Sequence, residues 1–203
     1  MRRFRRRLGA GEFFMLGSFA VAAVVTVLLV LPPGSTTAQA GWTMTDSGPL
    51  GPADRDLLIK VRQAGLWEIP TSQQAQQRGQ SARLKEVAGH IIEDHLKLDV
   101  EVRAVAAELD VALPSTASAD QQTWMAQISA ASAADYDREY TNLLRQAHGK
   151  VFSVVAAVRA GTRNDEVRKF AAKANAAVLR HMTLLESIGL VSYSDLPEPP
   201  APR

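Results

Sequence analysis

From Leu84 to Leu109 the chain keeps one rhythm: Leu84, Val87, Ile91, His95, Leu98, Val102, Val105 and Leu109 fall three or four residues apart. That spacing returns to one side of an α-helix at every turn, so this segment can bury its stripe only against other helices. Three further segments repeat the pattern. From Asp54 to about Gly79 the positions are Leu57, Val61, Ala64 and Glu68, with Pro70 predicted to kink or interrupt the helix. Another stripe carries Tyr136, Tyr140, Leu144, His148, Val151, Val155 and Val158 before Gly161. The last, from about Asn164, carries Val167, Phe170, Ala174, Val178, His181, Leu185 and Ile188 and closes at Gly189. Between the second and third stripes, residues 111–131 break the rhythm with Pro114 and a Ser/Thr run. A short helix then starts near Ser118, whose Gln121 completes a capping box. No stretch alternates every second residue with β-branched side chains, so no sheet is predicted. Four amphipathic helices of roughly 25 residues, with two tight links and a long middle one, predict an all-α four-helix bundle. The middle link suits either an up-down-up-down hairpin or a ferritin-like crossover.

The flanks have another character. Arg2, Arg3, Arg5, Arg6 and Arg7 precede an uncharged run from Phe13 to Leu31 that stops at Pro32 and Pro33. As a helix the run would span roughly 28 Å, close to the ~30 Å hydrocarbon core of a bilayer. Residues 1–40 therefore read as an N-terminal transmembrane anchor, or as a signal peptide cleaved after Ala40, where Ala38-Gln39-Ala40 has the small-x-small pattern. In either case the arginines stay in the cytoplasm and the rest of the chain lies outside it. The expected division is a leader or anchor over 1–40, a linker over 41–53, the bundle over 54–189 and a Pro-rich disordered tail over 190–203.

The leader holds five of the 23 basic residues and only Glu12 of the 21 acidic ones, leaving 18 against 20 in the remainder. A domain of mixed charge with no basic stripe has no electrostatic footprint for nucleic acid. With no cysteine, disulfides, thiolate metal sites and a cysteine nucleophile are all excluded. No Gly-x-Ser-x-Gly elbow, phosphate-binding glycine loop or His-Glu-x-x-His pair is present, and nothing else in the spacing argues for catalysis.

His95, His148 and His181 each fall inside an apolar stripe, where imidazole needs a hydrogen-bond partner or a metal. With Glu68 they supply one candidate donor from each helix, a set suited to iron, zinc or copper. Counted from the turns near Gly79 and Gly161 at 1.5 Å per residue, they lie roughly 17 Å (Glu68), 22 Å (His95), 20 Å (His148) and 27 Å (His181) along their helices. That spread of about 10 Å lets three donors converge and works against all four, because a metal holds its donors within ~2 Å. Di-iron bundles also place a carboxylate three residues before a histidine; here those positions are Ile92, Arg145 and Val178. The spacing favours a mid-bundle polar network in which the imidazoles bond Glu68, Tyr140 or Asp137, fixing helix register. Asp94 stands beside His95 as a further supporting carboxylate, while His90 points off the stripe. Trp67 and Trp124 suit a core edge, and Trp42 the vicinity of a membrane.

Glu68-Ile69, Ala75, Gln80-Ser81-x-x-Leu84-Lys85 and Ile92-Glu93-Asp94-His95 resemble the first helix pair of the bacterial family called domain of unknown function 4142. Asp135-Tyr136-Asp137-x-x-Tyr140 with His148, and Phe170-Ala171 with His181, resemble its second pair. The resemblance runs roughly from Asp54 to Gly189 and implies an exported ferritin-like helical domain; Pro70 departs from the pattern. Two functions follow as expectations. One is a non-enzymatic bundle of the cell envelope, tethered to the membrane if uncleaved, acting through binding or structural support. The other is a bundle holding a divalent transition metal at Glu68, His95, His148 and His181.

Overall fold

The computed structural model describes residues 41–196 and 198. The segment 1–40 read above as anchor or signal peptide lies outside the described residues, as does most of the chain beyond Leu196. Among the described residues no helix is long and apolar enough to cross a membrane. They form five α-helices: α1 (Pro52–Arg78), α2 (Ala82–Glu108), α3 (Ala119–Ala130), α4 (Tyr136–Gly161) and α5 (Asp165–Glu186).

Local chemistry sets the boundaries. Ser81 caps α2 by accepting from the Leu84 N–H, Ser118 and Gln121 form the predicted capping box on α3, and Asn164 caps α5 by accepting from the Val167 N–H. The end of α2 is a Schellman turn: Asp110 takes the left-handed conformation (φ 52°) while the Val111 N–H reaches back to the Ala106 carbonyl at 2.8 Å. Pro70 neither ends nor divides α1, which is helical from Pro52 to Arg78. Its ring lies on the exposed side of the helix, where water can take the carbonyl that proline leaves without a donor.

The expected linker contains structure. Strands β1 (Thr43–Thr45) and β2 (Gly48–Leu50) pair as an antiparallel hairpin, with Thr43 opposite Leu50, so the prediction of no sheet is corrected. Three-residue strands are too short to display alternation. The glycines that suggested a tether are instead points of close approach. A Cβ on Gly48 would stand 2.5 Å from the Arg163 carbonyl oxygen, and one on Gly51 would stand 2.9 Å from the Trp42 ring. Leu50 is fully buried, and the Asn164 amide donates to Thr45 Oγ1 (3.0 Å) and the Gly48 carbonyl (3.1 Å). The hairpin thus closes one end of the bundle. The start of the expected tail is likewise seated on α4, where the Ser192 N–H donates to Asn142 Oδ1 at 2.7 Å.

The links decide the topology. Asp137, at the start of α4, accepts from the Gln80 (2.9 Å) and Ser81 (2.8 Å) N–H groups, so α4 begins beside the α1–α2 turn. Arg83 at the start of α2 meets Ser187 at the end of α5. Residues 109–135, including α3, return along α1: Arg62 donates to the Pro114 carbonyl, and Arg78 to the Ser129 and Ala131 carbonyls. Hence α1 and α5 run one way, α2 and α4 the other, joined by a single long crossover. Helices α1 and α5 each pack against α2 and α4.

Two apolar clusters fill this bundle. One joins Leu57, Leu58 and Val61 to Leu98, Val102, Val155 and Phe170, under the hairpin. The other joins Trp67, Leu84, Ile91, Tyr140, Leu144 and Leu185 toward the α1–α2 turn. On every long helix a buried polar side chain stands where one cluster gives way to the other.

Candidate metal centre

Those side chains are Glu68, His95, His148 and His181, exposed by no more than 5 %. Each offers one donor atom, and the four atoms lie within 4.8 Å of one another. All four converge, contrary to the height argument. The reason is that side chains lean toward the N-terminus of their own helix. Glu68 and His148 precede their turns and reach away from them, whereas His95 and His181 follow and lean back, so each antiparallel pair closes its offset.

The contacts run as a chain. His95 Nε2 lies 3.0 Å from Glu68 Oε2, the same oxygen lies 3.3 Å from His148 Nε2, and His148 Nε2 lies 3.0 Å from His181 Nδ1. Two outer contacts assign the protons. The Leu144 carbonyl only accepts, so His148 Nδ1 donates to it, at 2.8 Å. His181 Nε2 lies 3.2 Å from Asp94 Oδ2 and donates to that carboxylate, which Arg180 also holds. Neutral His148 and His181 then aim two lone pairs at each other, with Glu68 Oε2 as a third acceptor beside them. Burial pushes both imidazoles toward the neutral form, an effect that Glu68 opposes in part at His148 and that His148 reinforces at His181. Burial raises the Glu68 carboxyl, but His148 and His95, whenever they are protonated, and the hydrogen bond from His95 outweigh it and hold that carboxyl below the usual carboxylate range. An anionic carboxylate and neutral imidazoles are the protonation states that bind metals. In a tetrahedral site with donors ~2.05 Å from the ion, neighbouring donors stand about 3.4 Å apart. The 3.0 and 3.3 Å contacts are close to that edge.

A model of the family described as "Domain of unknown function (DUF4142)" matches residues 39–188. The chain belongs to this family. The match takes in the hairpin as well as the bundle, which makes residues 43–50 part of the DUF4142 domain. No curated protein and no solved structure matches the chain.

Two expected partners of the histidines are elsewhere. Asp137 is occupied by the Gln80 and Ser81 N–H groups, and the Tyr140 hydroxyl bonds Ser72 Oγ at 2.9 Å. Helical spacing places both on the right face, but their heights put them toward the α1–α2 turn. Asp94 lies at the outer side of the cluster, against His181 Nε2. His90 is partly exposed near Arg180 and Glu86. Sequence reasoning missed the Leu144 carbonyl, which was legible: it lies one turn before His148, within reach of Nδ1. It also missed Ser72. The positions three before the histidines stay outside the centre, Arg145 pairing with Glu186 at 2.7 Å. Among the described residues the four-donor cluster therefore has a single carboxylate. Trp42, expected near a membrane, packs on Gly51 with the Arg163 guanidinium over its ring at 5.5 Å.

Proposed function

We propose that this DUF4142 domain binds a single divalent transition metal between its helices, through Glu68, His95, His148 and His181. The observation that carries the reading is the facing of His148 Nε2 and His181 Nδ1 at 3.0 Å, with the other nitrogen of each ring committed as a donor elsewhere. Two lone pairs beside a carboxylate repel unless a cation or an added proton lies between them. Three imidazoles and one carboxylate suit zinc, copper or iron. A lone carboxylate argues for a mononuclear centre and against a di-iron oxidase. The single-crossover topology supports a ferritin-like description of the bundle. We read the domain as exported, held at the membrane by residues 1–40 or released by cleavage after Ala40, on the strength of the arginine cluster and apolar run.

Elemental analysis of the full-length protein, expressed with added metal and purified in mild detergent, tests this reading. About one equivalent of one metal per chain is expected. Glu68→Gln, nearly isosteric, should lower affinity by at least about 100-fold, since even outer partners of metal ligands are worth ~10–100-fold. Substoichiometric metal in the unmutated protein would leave the cluster as a register-fixing polar network.

A further inference from the structure

Outside the bundle core, a cleft of about 400 Å³ lies between α1 and α4 and is roofed by the start of α3. That volume is in the range of small-molecule sites. Trp67 and Glu68, both almost inaccessible, form its base; Trp124 and Val151 line its walls, and Lys60 and Lys150 stand at its rim. The two indoles pack edge to face, their centroids 5.6 Å apart. The lysines differ. Lys60 is neutralised by Asp56 at 2.5 Å, whereas Lys150 forms no ion pair among the described residues and rests over the Trp124 ring at 5.6 Å.

We propose that this cleft binds a small aromatic carboxylate, its ring against Trp124 and Val151 above the buried Trp67 and its carboxylate on Lys150. The orientation follows from charge. A carboxylate at the base would face anionic Glu68, while at the rim it meets an ammonium that has no anion of its own. The Trp124 indole in the lining favours a ring over a flexible chain, because stacking on indole adds to area burial. The site shares Glu68 with the metal centre but does not depend on a bound metal.

The test is a titration of the full-length chain with benzoate, read by tryptophan emission and calorimetry. EDTA-treated and cobalt-exposed samples run in parallel. Saturable binding is expected in the EDTA-treated sample, with no binding of benzylamine, which has the ring without the anion, and weaker binding of cyclohexanecarboxylate. Lys150→Gln, at an exposed position, should weaken benzoate by about tenfold or more, the worth of one charge-assisted contact. Trp124→Leu should weaken it as well, with circular dichroism verifying the helices. The inference is overturned by an absence of saturable benzoate binding, by equal binding of benzylamine or cyclohexanecarboxylate, or by an unchanged Lys150→Gln. Cobalt uptake in the parallel samples reports separately on the metal reading, so either can fail alone.

Discussion

The two helical hairpins contribute to the centre in the same places but with different chemistry. In α1–α2 the pair is Glu68 and His95, a buried anion with its N–H donor at 3.0 Å, and His95 Nδ1 is buried without a partner. In α4–α5 the pair is His148 and His181, two neutral rings whose outer nitrogens are bonded to the Leu144 carbonyl and to Asp94. The first hairpin supplies charge, and the second supplies lone pairs of fixed direction. A cation would satisfy both, which is why the contrast matters more than the count of histidines.

Breaking the first hairpin should cost the most. His95→Leu strands the Glu68 carboxylate, and removal of one partner from a buried pair costs about 3–5 kcal/mol. Adding Glu68→Leu should restore most of that loss. His148→Leu, which leaves the Glu68 carboxylate its bond from His95, should cost less, about 1–3 kcal/mol. Urea unfolding of metal-free protein measures all three; equal losses in the two hairpins would erase the contrast.

Acid should act on both hairpins in one direction. His148 and His181 have folded pKa values below the ~6.5 of the unfolded chain, so the unfolded state takes up protons first as pH falls. Glu68 is also depressed, and its contribution is present above its unfolded value near 4.5 and lost as pH falls through its lower folded pKa. The melting temperature of metal-free protein should therefore be level above about pH 7 and fall below about 6.5. A flat profile down to pH 5 would mean that the imidazoles are charged in the fold.

Asp94→Asn sharpens the comparison with a smaller effect. It weakens the contact that orients His181, so metal affinity should drop by about 10–100-fold while the fold persists. Competition against a chelator of known affinity measures it. The smallest change is expected at Tyr140→Phe, which loses one buried bond to Ser72, about 1 kcal/mol, and leaves metal binding untouched. A fall in metal affinity there would return Tyr140 to the histidine network from which its position removes it.

Much of this architecture was legible in the sequence, for local reasons. The stripe from Leu84 to Leu109, the capping box at Ser118 and Gln121, and Gly189 with its φ of 80° each act over one or two turns, where neighbouring residues decide the outcome. The hairpin at 43–50 was hidden because its stability comes from Asn164 and Arg163, more than a hundred residues away. Glu68 and the three histidines were visible as misfits in apolar stripes, but Asp137 and Tyr140 looked equally eligible.

The order of residues along the chain accounts for the set of helices, their buried faces and the four polar residues those faces carry. Tertiary structure alone decided that the long link crosses the bundle, that all four donors meet, and that Asp94 rather than Asp137 or Tyr140 stands behind them. Periodicity specifies an angle around each helix. Height and lean relative to a neighbour are set only when antiparallel helices pack, and there a few ångströms of side-chain tilt separate one converged cluster from four scattered polar groups.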